Sequence, residues 1–298
     1  MQSEPVGVEV FDEPLILQSL EAGTANWTGV AAYDFDVDFA LAHLRLDEWD
    51  RIHGWTQTGV PFVLHRAAQE ELFAALDEFT DDSITFQGKT YDLPPLLQST
   101  AAVANSEYWN QRYHKQETPW DSGQPSPIFT KLLPGLKIPK SRVLILGAGT
   151  GADAQFFANQ GHVVTAVDFS SAALALAQKN HPHSSVRWVE KDVLRLPEDW
   201  NGQFDLVIEH TCYCAILPSQ RNALVKVWQK MLHDQGQLLG TFFTMHASDQ
   251  PPFGASEWEI RKRMQKSFQF LFWGRWNESL PGREGKELAV FAQRRKAQ

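Results

Sequence analysis

Arg142 to Ser170 reads RVLILGAGTGADAQFFANQGHVVTAVDFS: an apolar run, a three-glycine turn, a helix-length segment and a second apolar run ending in Asp168. Val143 to Leu146 is short and uninterrupted, as expected of a parallel strand buried on both faces. Gly147, Gly149 and Gly151 follow with no charge among them. Glycine lets the chain turn with positive φ and lets backbone N–H groups approach a ligand with no Cβ in the way. Ala152 to Asn159 reads as the crossover helix, Gly161 as its end and His162 to Val167 as the second strand. Asp168 then stands at that strand's carboxyl end, about twenty residues past the glycines, where a carboxylate accepts both hydroxyls of a ribose. The unit reads as a nucleotide-binding βαβ half-site for an adenosine cofactor with a free 2′-hydroxyl.

The half-site leaves the cofactor open. Because residue 152 is Ala, the string satisfies the G-x-G-x-x-A dinucleotide fingerprint as well as the G-x-G-x-G loop common in enzymes that use S-adenosylmethionine (SAM). NAD and SAM both remain. A Walker-type phosphate loop is excluded, since no Gly-Lys-Ser/Thr follows.

Around this unit the strands and helices keep alternating. Val186 to Val189 is expected as a third strand, with Asp192 and Val193 after it, and Phe204 to Glu209 as a fourth. Ser219 to Leu232 reads as a helix ending near Gly236, and Gln237 to Thr244 as a fifth strand. Such alternation builds a parallel sheet with helices on both faces. The ending changes rhythm: Phe268 to Trp276 and Glu287 to Arg294 are strand-like runs joined through Pro281-Gly282 and Gly285, an antiparallel hairpin on a mostly parallel, seven-stranded, Rossmann-like sheet. That ending favours SAM over NAD. Upstream, Ser99 to Tyr113 is expected as one helix, with Trp109 and Tyr113 on a common face.

Residues 1–98 differ in character and are expected to form an accessory α+β module, with 99–298 as the catalytic domain. The module is rich in acids, among them Asp34, Asp36, Asp38, Glu70, Glu71, Asp81 and Asp82, which could receive a cationic amino group of a substrate. His65 to Phe79 carries Ala68, Leu72, Phe73, Leu76 and Phe79 at helical spacing, and Ile84 to Leu93 reads as a hairpin about Gln87-Gly88-Lys89.

The 298 residues are 43% hydrophobic and 21% charged, ordinary for a globular protein with a substantial core. A net charge of −9 argues against a nucleic-acid partner, whose phosphates it would repel. No run of eighteen apolar residues suggests a membrane span, and the acidic start lacks a signal-peptide core, so a cytoplasmic location is expected. Cys212 and Cys214 are too close for an unstrained bridge between elements and too few for zinc; buried thiols and no metal are expected. Eleven Trp is a large number, and Trp109, Trp120, Trp258, Trp273 and Trp276 fall where pocket walls of α/β enzymes tend to lie.

Three further strings carry a resemblance: YWNQRYHKQETPWDSGQPSP (Tyr108 to Pro127), EHTCYCAILPSQR (Glu209 to Arg221) and DQPPF (Asp249 to Phe253). Together they resemble the thiopurine S-methyltransferase family, class I SAM-dependent methyltransferases that include plant thiol and halide methyltransferases. The resemblance spans about residues 105–295 and leaves the first hundred uncovered. It implies that Trp109, Tyr113 and Trp120 cap SAM, with Tyr113 standing where a Trp is common in the family. It implies that Gly147 and Gly149 lie against the methionine and ribose, that Asp168 holds the ribose hydroxyls with Phe169 beside it, and that Asp192 and Val193 frame the adenine. Glu209 or His210 would face the methionine end.

The implied activity is methyl transfer to a small-molecule soft nucleophile, foremost a thiol sulfur. A heterocyclic nitrogen, such as that of a thiol-bearing imidazole, or a halide is the alternative acceptor. Displacement at a sulfonium needs alignment and desolvation and no metal or covalent nucleophile. His210 is the first candidate for a base and His246, after the fifth strand, the second. Readings from other classes are an NAD-dependent oxidoreductase and a noncatalytic SAM-binding protein.

Overall fold

The computed structural model describes residues 76–79, 83–92, 102–245, 250–276, 278–280 and 282–296, with the backbone of five short strands before residue 65. The chain divides into two compact units, Met1–Ser99 with Trp258–Arg263, and Thr100–Glu257 with Met264–Gln298.

In the first unit, Leu15–Ser19, Asn26–Trp27, Arg45–Leu46, Ile52–Trp55 and Pro61–Leu64 form a five-stranded sheet. A second sheet joins Glu78–Phe79, Ser83–Phe86 and Lys89–Asp92. The expected hairpin is present, turning on Gln87 and Gly88, both with positive φ as a two-residue hairpin turn requires. The helix expected over His65–Phe79 fails at its end. Glu78 and Phe79 pair with Thr85 and Ile84, and Asp77 N–H donates to the Thr85 carbonyl, so sheet pairing overrides the helical spacing there. Residues 65–75 lie outside the described residues.

The second unit is a seven-stranded sheet flanked by helices. Its strands are β1 (Arg142–Leu146), β2 (Val163–Asp168), β3 (Arg187–Glu190), β4 (Phe204–His210), β5 (Leu232–Phe243), β6 (Phe268–Trp276) and β7 (Glu287–Arg294). They lie in the order β3-β2-β1-β4-β5-β7-β6, parallel through β5, with β7 antiparallel to both β5 and β6. The order reverses between β1 and β4, and open α/β sheets bind ligands at the carboxyl ends of strands beside such a reversal.

The principal helices are α1 (Ser106–His114), α2 (Pro127–Leu136), α3 (Ala152–Asn159), α4 (Ser171–Asn180) and α5 (Arg221–Met231). Phe129 and Leu133 of α2 and Ala154 and Phe157 of α3 pack on Val143, Ile145, Val164, Leu206 and Ile208 of the sheet. On α5, Leu224, Val225 and Trp228 are buried, each worth about 1.5–3 kcal/mol of apolar transfer.

Two boundaries depart from the sequence reading. The helix expected from Ser99 begins at Ser106, because the Asn105 side chain caps it by accepting from Glu107 N–H. The helix expected to end near Gly236 stops at Met231, and β5 begins at once with the fully buried Leu232 paired to Phe204. The register then jumps to Leu206 opposite Gln237, so Gly236 lies in an irregularity inside the strand and does not end the helix.

Candidate active site

The carboxyl ends of β1, β2 and β4 open on a cavity of about 390 Å³. On one side lies the glycine turn after β1, with φ of +66° at Gly147 and +55° at Gly149. A Cβ on Gly147 would stand 2.9 Å from the Cβ of Cys212, so the loops after β1 and β4 meet with no room for a side chain. Asp168 ends β2 with its carboxylate at the cavity. Oδ2 accepts from Gly149 N–H and Oδ1 from Ser170 N–H, each at 2.8 Å. Burial raises its pKa, against the backbone hydrogen bonds of Ser170, Gly149 and Phe169 that favour the carboxylate. Each oxygen keeps capacity for another hydrogen bond. Phe169 also lines the cavity.

Trp109, Tyr113 and Trp120 form an aromatic wall. Trp120 meets Trp109 and Tyr113 edge to face, with centroids 5.7 and 6.0 Å apart, and donates its Nε1–H to the Tyr113 hydroxyl at 3.3 Å. Burial, with Asp168 nearby, pushes the Tyr113 phenol upward, so it stays protonated. The wall is tied to the turn after β2 through Asn110, whose Oδ1 accepts from the Ser170 hydroxyl at 2.7 Å and from Ala172 N–H at 3.1 Å. Asp192 and Val193 line the far side. One Asp192 oxygen accepts from Leu194 N–H at 2.9 Å, shaping its own turn.

At the end of β4 the two adjacent residues expected at the methionine end separate. His210 lines the cavity, whereas Glu209 does not, since neighbouring strand residues point to opposite faces. Glu209 is fully buried, its Oε1 accepting from Tyr213 N–H at 2.7 Å, and burial raises its pKa to about 7. Its visible work is to hold the Cys212–Tyr213 turn. His210 Nδ1 lies 2.6 Å from Asp153 Oδ2, and its Nε2 is buried without a partner. Burial opposes its protonation, but Asp153, followed by Glu287, outweighs this and raises its pKa.

Asp153 and Arg283 line the cavity and were not singled out from the sequence. Asp153 could have been noticed as an acid in the first turn of the crossover helix; Arg283 follows a Pro-Gly turn with no pattern around it. Its guanidinium donates to the Trp120 carbonyl at 3.0 Å and lies 3.5 Å from Glu287. His246 lies outside the described residues. Trp273 and Trp276 are not on the cavity, since they sit on β6, the sheet's edge strand, remote from the reversal, while Trp258 belongs to the first unit and is half exposed. Cys212 and Cys214 reach the cavity as free thiols, both buried. Burial raises Cys212 well above the usual thiol range and Cys214 to about 12, so neither is a thiolate near neutrality.

The family model described as Thiopurine S-methyltransferase (TPMT) matches residues 104–297. The chain belongs to the thiopurine S-methyltransferase family. Among similar proteins, probable thiol methyltransferase 2 of Arabidopsis thaliana is 30% identical over 160 residues, covering 52% of this chain and 70% of that protein. Thiocyanate methyltransferase 1 of the same plant is 29% identical over 151 residues, 48% of this chain and 65% of that one. The match thus spans about two thirds of these relatives' own length. A Bos taurus EEF1A lysine methyltransferase 4 is 29% identical over 139 residues, covering 45% of this chain and 54% of that protein. Among solved structures, Burkholderia thailandensis 1,6-didemethyltoxoflavin-N1-methyltransferase with bound 1,6-didemethyltoxoflavin and S-adenosylhomocysteine superposes with a TM-score of 0.53. It is 23% identical and covers 65% of this chain and 88% of that one, a likeness of fold. The Rossmann-like sheet with its antiparallel ending is thus the expected methyltransferase architecture, and no helix among the described residues is long and apolar enough to cross a membrane.

Proposed function

We propose that the chain is a SAM-dependent methyltransferase acting on a small-molecule soft nucleophile, foremost a thiol sulfur, in the cytoplasm. The observation that carries this is the convergence of the glycine turn, Asp168, the aromatic wall and His210 on one cavity at the sheet's reversal. These residues suit the cofactor. Gly147 has no space for a Cβ beside Cys212, Asp168 has unused acceptor capacity for two ribose hydroxyls, and Trp109 and Trp120 offer π faces suited to a sulfonium.

In this reading Gly147 and Gly149 line the methionine and ribose portion, Asp168 and Phe169 the ribose, and Asp192 and Val193 the adenine. Trp109, Tyr113 and Trp120 exclude water. When bound, SAM supplies an electrophilic methyl group on a positively charged sulfur. His210 receives an acceptor's proton in this reading; Glu209, off the cavity, supports the loop beside it. Residues 1–98 act as an accessory module and 99–298 as the methyltransferase domain.

A protein-lysine acceptor is the second reading, favoured by the likeness to the bovine lysine methyltransferase. Calorimetric titration with SAM, S-adenosylhomocysteine and NAD, repeated on Asp168→Ala, tests the cofactor. Binding of both sulfur compounds, lost in the variant, is expected, and binding of NAD alone would overturn the reading. Methyl transfer to thiols with none to protein lysines separates the two acceptor classes.

A further inference from the structure

His210 is held from several directions. Asp153, in the first turn of α3, meets Nδ1 at 2.6 Å, and its other oxygen is fixed by Ser126 N–H at 2.8 Å, so the carboxylate is held at both ends. Phe129 of α2 packs edge-on against the ring at 5.6 Å. Glu287 of β7 and Arg283 before it also act electrostatically on the imidazole, and Glu209 is its chain neighbour. An ionised carboxylate only accepts hydrogen bonds, so the neutral ring carries its proton on Nδ1 and presents a bare Nε2. That nitrogen is buried and unpartnered in a residue that lines the cavity. It is closed to a water-sized molecule, so a hydrogen that satisfies it must come from an acceptor that displaces the atoms now packed over it.

We propose that Asp153 and His210 form a dyad in which Asp153 fixes the tautomer and His210 Nε2 takes the proton of a neutral acceptor. Above the pH at which the ring titrates, the site thereby prefers protonated nucleophiles, a thiol S–H or a heterocyclic N–H, over preformed anions such as halides or thiocyanate. This deepens the methyltransferase reading and rests on it. Asp153 is a positioning residue here and His210 the group that meets the acceptor.

Charge supports the preference. With both carboxylates ionised, Asp153, Glu287, Arg283 and His210 carry one net negative charge when the ring is neutral and none when it is protonated. An anion beside the neutral ring adds a second negative charge and finds no donor at Nε2. A thiol giving its proton to Nε2 keeps the total at one negative charge, now on the thiolate, one fewer than with an anion beside the neutral ring. In the transfer the S–H bond breaks towards Nε2 and the acceptor sulfur's electron pair forms the new S–C bond. The pair of the broken sulfonium S–C bond stays on the departing sulfur, and the imidazolium releases its proton to solvent.

The test uses the full chain labelled with ¹⁵N-histidine, with long-range ¹H–¹⁵N spectra and His210→Gln for assignment. Above the pH at which the ring titrates, the wild type is expected to show protonated Nδ1 and bare Nε2. Asp153→Asn keeps an oxygen for Ser126 and turns an amide donor towards the ring, so the proton should move to Nε2. A wild-type ring protonated at Nε2, or a tautomer unmoved in Asp153→Asn, overturns the dyad. A kinetic arm compares an alkyl thiol, protonated near neutrality, with thiocyanate, an anion throughout. For the thiol, kcat/KM should rise with pH through the His210 titration and fall roughly 10²–10⁴-fold in Asp153→Asn, mainly in kcat. Thiocyanate should be the poorer acceptor in the wild type and should lose nothing, or gain, in the variant, where Nε2 carries a donor and one negative charge is gone. Equal losses for both, or a preference for thiocyanate, overturns the specificity. Absence of S-adenosylhomocysteine binding would instead defeat the methyltransferase reading, and the spectra would still decide the dyad.

Discussion

Replacing Gly147 by alanine forces a methyl group into the contact between the loops after β1 and β4. Two costs add. The backbone at φ +66° is left-handed, which costs a residue with a Cβ about 1–2 kcal/mol. The new Cβ would also lie 2.9 Å from Cys212 Cβ and 3.1 Å from its Sγ, an overpacking worth about 1–3 kcal/mol if the loops must part. Gly147→Ala is therefore expected to lose about 2–5 kcal/mol of unfolding free energy, read by equilibrium urea denaturation. Adding Cys212→Gly removes the collision and leaves the conformational cost, so the double variant should recover part of the loss. Gly135 provides the control: it sits exposed in α2 with open space around its would-be Cβ, and Gly135→Ala should gain about 0.4–1 kcal/mol. A Gly147→Ala protein within about 0.5 kcal/mol of wild type would refute the steric reasoning.

Three further outcomes are expected. Asp168→Ala strips the acceptor from Gly149 and Ser170 N–H and should cost about 1–3 kcal/mol of stability, together with roughly tenfold or greater loss of S-adenosylhomocysteine affinity by calorimetry. Glu209 is an acid whose folded pKa is raised to about 7, so the native state holds its proton longer than the unfolded chain and stability falls as pH rises from the ordinary carboxyl range to about 7. Glu209→Gln, which keeps an oxygen for Tyr213 N–H, should flatten that decline, by at most roughly 3 kcal/mol; an unchanged pH–stability curve would count against the buried carboxylate. Cys212 and Cys214 should resist iodoacetamide at pH 8 in the native protein and react fully in denaturant, and rapid native alkylation would contradict their burial.

The half-site was legible because its constraints are local. Val143 to Leu146 could only be a buried strand, and the glycines, the crossover helix and Asp168 followed at fixed distances, so α3 and β2 fall within a residue of the expected positions. Helix α2 was not legible, since Pro134 and Gly135 inside it argue against a helix that packing of Ile128, Phe129 and Leu133 nevertheless maintains. The early start of β5 was hidden because Gly236 looks like a helix stop, while the burial of Leu232 that opens the strand depends on Phe204. In the site, the glycines, Asp168 and the aromatic residues stood in recognisable strings. The choice between Glu209 and His210 did not, because it turns on which sheet face each side chain takes. Asp153 and His210 are 57 residues apart, and only the parallel pairing of β1 with β4 brings α3 to the end of β4.

Asn110 joins two parts of the cavity wall that differ in what they meet. Its carbonyl oxygen grips Ser170 and Ala172, and Ser170 N–H in turn grips Asp168, so a continuous relay of hydrogen bonds runs from the carboxylate to the helix bearing Trp109 and Tyr113. Occupancy at Asp168 is thus felt as stiffness at α1. Hydrogen exchange of the α1 amides should slow on ligand binding even where no ligand atom touches them, and Asn110→Ala should uncouple that response while leaving Asp168 in place. The Asp168 side of the cavity and the aromatic wall are then a single mechanical element, tightened or slackened together.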